Sequence, residues 1–215
     1  MGLVAPYLAY MRQDKQFQPG EAVTSRTVAR LLSDSFDWLM SIDPHLHRYK
    51  SLSEIYTIPS TVLHTATLMS EWIGANVQSP ILIGPDAESV QWVSDVAGRI
   101  DAPFTVLSKT RLGDRDIEVR LTDEIDIAGR TPILVDDIVS SGATMLKAVQ
   151  RVKTLSRHQP VCVAAHGLFA DGSDRQIQDA GVRLVTSNSV PHASNAMDVS
   201  GMLSDAIAQM AETIK

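Results

Sequence analysis

The chain has 215 residues, of which 44% are hydrophobic and 20% charged, with a formal net charge of −6. That is about one and a half typical domains, with enough apolar material for a packed core, which excludes a disordered chain. The acidic balance excludes a nucleic-acid binder working through a basic surface, so an anion would be held in a local pocket.

Met1 to Tyr10 is apolar, lacks a basic leader and carries Pro6. It reads as a strand over Leu3–Ala9 rather than as a signal peptide. Helical spacing follows at Val23, Val28, Leu31 and Leu32, then a strand at Trp38–Ile42. Further strands are expected at Pro80–Ile83, Phe104–Leu107, Ile117–Leu121, Pro132–Val135, Val161–Ala165 and Leu184–Thr186. Between them lie helical patterns at Val90, Val93, Val96, Ala97 and Ile100, and at Met145, Ala148, Val149, Val152 and Leu155. Short apolar runs alternating with amphipathic helices predict a parallel sheet with crossover helices. Runs that are apolar throughout fit a sheet covered on both faces. No run approaches the roughly 18 apolar residues of a membrane span. The single cysteine, Cys162, lies in such a run and is expected to be a buried thiol; an intrachain disulfide and a cysteine-rich zinc site are excluded. A reducing, cytoplasmic setting is the expectation.

The most informative stretch is Ile133-Leu134-Val135-Asp136-Asp137-Ile138-Val139-Ser140-Ser141-Gly142-Ala143-Thr144. An apolar strand ends in two carboxylates, a small-residue turn follows, and a helix is expected from about Met145. Backbone N–H groups at a helix N-terminus bind phosphate without net basic charge. Ser140, Ser141 and Thr144 add hydroxyl donors. Asp136 and Asp137 suit sugar hydroxyls or a magnesium ion held through water. Together these describe a phosphorylated pentose. On spacing alone, a strand end with a polar turn and an N-cap fits equally well.

This stretch resembles the phosphoribosyl-pyrophosphate motif of type I phosphoribosyltransferases. Further stretches, in the same order along the chain, resemble one member of that superfamily, ribose-phosphate pyrophosphokinase. The resemblance implies that Arg12 and Gln13, in Tyr10-Met11-Arg12-Gln13-Asp14, contact ATP. It implies that His45, in Asp43-Pro44-His45, and Asp86, in Gly84-Pro85-Asp86-Ala87, bind the metal of Mg-ATP. Glu88, Ser89 and Val90 stand where the family commonly continues with glycines. His47, two residues after His45, would share a side with it in an extended chain; the pair does not suggest zinc. Lys109 and Arg111, in Lys109-Thr110-Arg111, take the place of the family's catalytic loop, where cations stabilise charge on a transferred group. His166 and His192 are given no catalytic role.

The resemblance implies an α/β fold of two tandem type I phosphoribosyltransferase-like domains. The first, 1–64, is expected to be incomplete because its opening residues already read as a strand; the second spans 65–199, and 200–215 is a helix packing on the first. The implied activity transfers the diphosphoryl group of ATP to the 1-hydroxyl of ribose 5-phosphate, giving phosphoribosyl pyrophosphate and AMP. Ser140, Ser141, Gly142, Ala143 and Thr144 would hold the 5-phosphate and Asp136 and Asp137 the ribose hydroxyls. Mg2+ is the implied cofactor, and a homo-oligomer is expected, with neither nucleic acid nor membrane as partner. Two rivals stand beside this reading: a purine or pyrimidine phosphoribosyltransferase, and a non-catalytic phosphoribosyl-binding regulator.

Overall fold

The computed structural model describes residues 1–111, 117–121 and 126–213; the side chains at 109–121, 211 and 213 lie outside that description. In chain order the elements are β1 (Gly2–Ala5), α1 (Thr24–Ser35), β2 (Trp38–Ile42), β3 (Ser60–Leu63), α2 (Ala66–Asn76), β4 (Pro80–Gly84), α3 (Val90–Arg99), β5 (Phe104–Arg111), β6 (Ile117–Leu121), β7 (Thr131–Val139), α4 (Ala143–Lys153), β8 (Val161–Gly167), α5 (Ser173–Asp179), β9 (Arg183–Ser187), β10 (Asn195–Met197) and α6 (Ser200–Thr213). Two compact units divide them: Met1–Thr65 with Val199–Lys215, and Ala66–Asp198.

The first unit is built on a parallel sheet in the order β1-β2-β3. β1 stops at Ala5, short of the expected Ala9, because Pro6 has no N–H for the ladder. β3 escapes the sequence reading: it is four residues long, opens with Ser60 and Thr61, and is half-buried throughout. Leu8, Met11, Ala29, Leu39, Tyr49, Leu52 and Tyr56 form this unit's core.

The second unit holds a sheet in the order β10-β9-β8-β7-β4-β5-β6. All its pairs are parallel except β5 with β6. Side chains alternate along the central strands, as the period of two requires. Ile81, Ile83, Leu134, Cys162 and Ala164 join one apolar cluster, with Met145, Val149 and Val152 of α4 and Ile177 of α5. Leu82, Ile133, Val135, Val163 and Ala165 join the other, with Met69 and Ile73 of α2 and Val93, Val96 and Ala97 of α3. Both faces are covered, which is why these strands read as unbroken apolar runs. No helix among the described residues is long and apolar enough to cross a membrane.

The connectivity sets where a ligand would go. From β4 the chain crosses through α3 to β5 on one side. β7 then pairs with the other side of β4, and α4 leads away to β8. The strand order therefore reverses between β4 and β7. In open α/β sheets ligands bind outside the carboxyl ends of the strands at such a point.

Candidate functional site

Both strands at the switch point have acids near their carboxyl ends: Asp86 two residues beyond β4, and Asp136 and Asp137 within the last part of β7. β7 runs on past the expected Val135, pairing Asp136 with Ala164, Ile138 with His166 and Val139 with Gly167. Asp136 and Asp137 are thus strand residues rather than the first residues beyond one. Asp137 is buried and Asp136 half-buried. Asp136 Oδ1 accepts from the Asp137 N–H at 3.0 Å, and Asp137 Oδ1 from the Ile138 N–H at 2.7 Å. Beyond β4, the Asp86 carboxylate accepts from the Glu88 N–H at 3.0 Å and caps a 3-10 turn, Ala87–Ser89, that leads into α3. Ser89 Oγ closes that cap by donating to the Asp86 carbonyl at 2.6 Å. The turn folds so tightly on the strand end that a Cβ at Gly84 would lie 2.4 Å from Ser89 Oγ. Burial, then the neighbouring charges of Asp137 and Asp86, hold the Asp136 carboxyl well above the usual range. The three carboxylates therefore share one electrostatic neighbourhood, which favours a cation or hydroxyl donors.

The expected phosphate loop follows β7 directly. α4 begins at Ala143 rather than near Met145, so Ala143 and Thr144 belong to its first turn. Gly142 stands at the N-cap with φ 71°, and no side chain caps the helix. The loop's shape is set from outside. The N–H groups of Leu168 and Phe169 donate to the Val139 carbonyl at 2.9 and 3.1 Å, and that of Ala170 to the Ser140 carbonyl at 3.1 Å. Ser173 Oγ donates to the same Ser140 carbonyl at 2.7 Å. Phe169 and Asp171 hold left-handed conformations within this brace, and the Phe169 ring packs on His192 with centroids 4.4 Å apart. The brace is invisible in the sequence: Ser173 lies 33 residues from its acceptor. His166 is buried with Nδ1 2.7 Å from Ser189 Oγ, and His192 Nε2 lies 3.4 Å from Asp174.

In the first unit, Arg12 and Gln13 are exposed at the end of a turn. The Gln13 N–H donates to the Tyr10 carbonyl at 3.0 Å, with Tyr10 at φ 67°. Asp43–His47 is not extended, so simple alternation fails there. Asp43 and His45 have positive φ, and the N–H groups of His45 and His47 donate two residues back at 2.8 and 3.0 Å. The two imidazole rings end 6.3 Å apart. Sequence reasoning passed over Asp43 itself. Its carboxylate accepts from Thr65 N–H at 2.9 Å and Thr65 Oγ at 2.6 Å, and pairs with His64 Nδ1 at 2.9 Å. Burial works against its charge, but those hydrogen bonds outweigh burial and hold its carboxyl below the usual range.

Lys109 and Arg111 are placed by backbone alone. They lie in β5, opposite Val119 and Ile117 of β6, so they belong to the arm of a hairpin rather than a loop; their side chains lie outside the described residues. Among the described residues no three His, Cys, Asp or Glu side chains are arranged to hold a metal. Magnesium needs no such cage: it keeps water and takes one or two carboxylates plus substrate phosphates. Asp86, with the carboxyl oxygens of Asp136 and Asp137 in the same electrostatic neighbourhood, fits that demand.

The phosphoribosyl transferase domain profile matches residues 51–200. The chain belongs to the phosphoribosyl transferase domain family. It is similar, at 27% identity over 212 residues, to the ribose-phosphate pyrophosphokinase of Methanosarcina acetivorans, across 98% of this chain and 73% of that one. It is 29% identical over 201 residues to that of Sulfurisphaera tokodaii, across 91% of this chain and 67% of the relative. Its fold matches the crystal structure of phosphoribosylpyrophosphate synthetase from Mycobacterium smegmatis with a TM-score of 0.85 at 23% identity, over 99% of this chain and 72% of that chain. The covered parallel sheet is thus that of type I phosphoribosyltransferases, as the motif order predicts.

Proposed function

We propose that this protein is a ribose-phosphate diphosphokinase that transfers the diphosphoryl group of ATP to the 1-hydroxyl of ribose 5-phosphate. The observation that carries this is the reach of the similarity. Relatives named ribose-phosphate pyrophosphokinase align over 91–98% of the chain, through the first unit as well as the second. A base phosphoribosyltransferase consumes no ATP and so has no use for the Arg12, Gln13 and His45 segments that the first unit carries.

The roles are those that the family resemblance implies, and the backbone of the turn after β7 is compatible with them. The N–H groups of the Ser140–Thr144 turn and the first turn of α4 hold the 5-phosphate, with the Ser140, Ser141 and Thr144 hydroxyls as further donors. Asp136 and Asp137 accept hydrogen bonds from the ribose hydroxyls and set the 1-hydroxyl for attack. Arg12 offers a fork to polyphosphate oxygens and Gln13 pairs with the nucleoside. His45 and Asp86 are assigned to the metal of the nucleotide; bound magnesium neutralises polyphosphate charge. Lys109 and Arg111 stabilise the charge spread over the transferred group. A cytoplasmic homo-oligomer completes the reading.

Phosphorus NMR with Mg-ATP and ribose 5-phosphate tests it against a control without the sugar. AMP and a new anomeric diphosphate are expected only with the sugar. ADP in their place would overturn the reaction.

A further inference from the structure

β2 and β3 are parallel neighbours in register from Leu39–Ser60 to Ile42–Leu63. Their next residues, Asp43 and His64, therefore emerge side by side at the carboxyl edge of the sheet. The Asp43 N–H extends the ladder by donating to the Leu63 carbonyl at 3.0 Å. At this edge Asp43 is only 3% exposed, yet both oxygens of its carboxylate are hydrogen-bonded. One oxygen takes both the N–H and the hydroxyl of Thr65, and the other takes His64 Nδ1. Thr65 is wholly buried, whereas the His64 side chain is 67% exposed.

What this staple holds is unusual backbone. Asp43 has φ 35° and His45 φ 54°, and the His45 N–H bonds back to the Asp43 carbonyl at 2.8 Å. Neither residue is glycine, and each such conformation costs about 1–3 kcal/mol that its surroundings must supply. Pro44 between them narrows the alternatives further. A carboxylate that fixes the first residue of the turn through three hydrogen bonds fixes the direction in which the third residue, His45, leaves the sheet.

We infer that Asp43 is a positioning residue: stapled to Thr65 and His64, it holds the left-handed Asp43–His45 turn that presents the His45 imidazole to a metal-bound nucleotide. The inference rests on the proposed role of His45 and adds the element that aims it. Asp43 acts through His45 and does not touch the ligand.

The test is a double-mutant cycle read by equilibrium binding of Mn-ATP, with ribose 5-phosphate binding measured in parallel. Asp43→Asn and His45→Ala are made singly and together, with Thr65→Val and Thr65→Ser as milder probes. Thr65→Val removes one hydrogen bond at constant shape, and Thr65→Ser keeps it. Asp43→Asn is expected to weaken Mn-ATP about tenfold and to leave ribose 5-phosphate unchanged. In the His45→Ala background it should add less than about twofold, because its effect passes through that imidazole. Thr65→Val should weaken Mn-ATP several-fold, with Thr65→Ser close to the parent. Equal losses for both ligands, additive losses in the cycle, or an unchanged Mn-ATP affinity in Asp43→Asn would overturn the inference while leaving the role of His45 standing. An unchanged affinity in His45→Ala would overturn that role and this inference with it.

Discussion

Gly142→Ala probes the phosphate loop where its geometry is tightest. Gly142 has φ 71°, and a Cβ there would lie 2.8 Å from Ser173 Cβ and 3.4 Å from Ile177 Cδ1. Two costs follow. An L-residue in the left-handed region loses about 1–2 kcal/mol. Forcing a methyl into a filled space adds about 1–3 kcal/mol, since Ser173 and Ile177 are both fully buried. Gly172 separates the terms, because it has the same φ of 71° and nothing within 4 Å of its would-be Cβ. Gly142→Ala should therefore be less stable than Gly172→Ala by about 2 kcal/mol, or about 4–8 °C in Tm. Calorimetry and urea unfolding measure the difference. Ribose 5-phosphate affinity should fall at least about tenfold in the first variant and hold in the second. Adding Ser173→Gly removes the colliding carbon, so the double variant should be less unstable than the sum of the singles, despite losing the bond to the Ser140 carbonyl. Equal stability of Gly142→Ala and Gly172→Ala would refute the claim that the brace shapes the loop by contact.

Three further outcomes are expected. Asp136→Asn removes a carboxyl that burial and the Asp137 and Asp86 charges hold well above the usual range. A raised carboxyl favours the fold below its unfolded value of 3.8 and loses that contribution as pH rises through the folded value. The Tm gain of Asp136→Asn in metal-free buffer should therefore be absent near pH 4 and appear as pH rises, with a pH series of Tm as the check. Asp86→Asn keeps an oxygen to cap the 3-10 turn, so it should unfold within about 0.5 kcal/mol of the parent while losing Mn-ATP affinity. Asp86→Ala should lose about 1 kcal/mol as well, and equal affinities for the parent and Asp86→Asn would make Asp86 a cap alone. Lys109→Ala should lower kcat by at least about 100-fold with little change in KM; steady-state kinetics showing kcat intact would remove Lys109 from the chemistry.

Much of this was legible in the chain because the relevant physics is local. Short unbroken apolar runs mark β4, β7 and β8, and spacing of three and four marks α3 and α4. Asp86 and Gly142 were legible because each sits in a turn after a strand, and Asp136 and Asp137 because two adjacent acids interrupt an apolar run, although β7 continues past them to Val139. What was not legible depends on contacts between distant residues. β3 is half-buried and begins Ser60-Thr61, so its pattern is weak until β2 is beside it. Asp43 looked like a neighbour of His45; only the register of β2 against β3 brings His64 and Thr65 to its carboxylate. The hairpin containing Lys109 and Arg111 reads as a loop from its charges, yet antiparallel pairing carries β5 to Arg111.

The proposed site would let a chain of net charge −6 hold an anion. Its phosphate half draws on backbone, the N–H groups of the turn after β7 and the dipole of α4, which total charge does not register. Its proposed sugar half is acidic: burial first, and then the nearby Asp137 and Asp86 charges, raise the Asp136 carboxyl. Hydroxyl donors and a hard cation relieve the repulsion among those charges, whereas a bare anion at the same place would worsen it. If the site binds as proposed, selectivity for a sugar phosphate over free phosphate would follow from the order along β7. Acids come first and the turn comes three residues later, so a ligand must offer hydroxyls at one end and phosphate at the other.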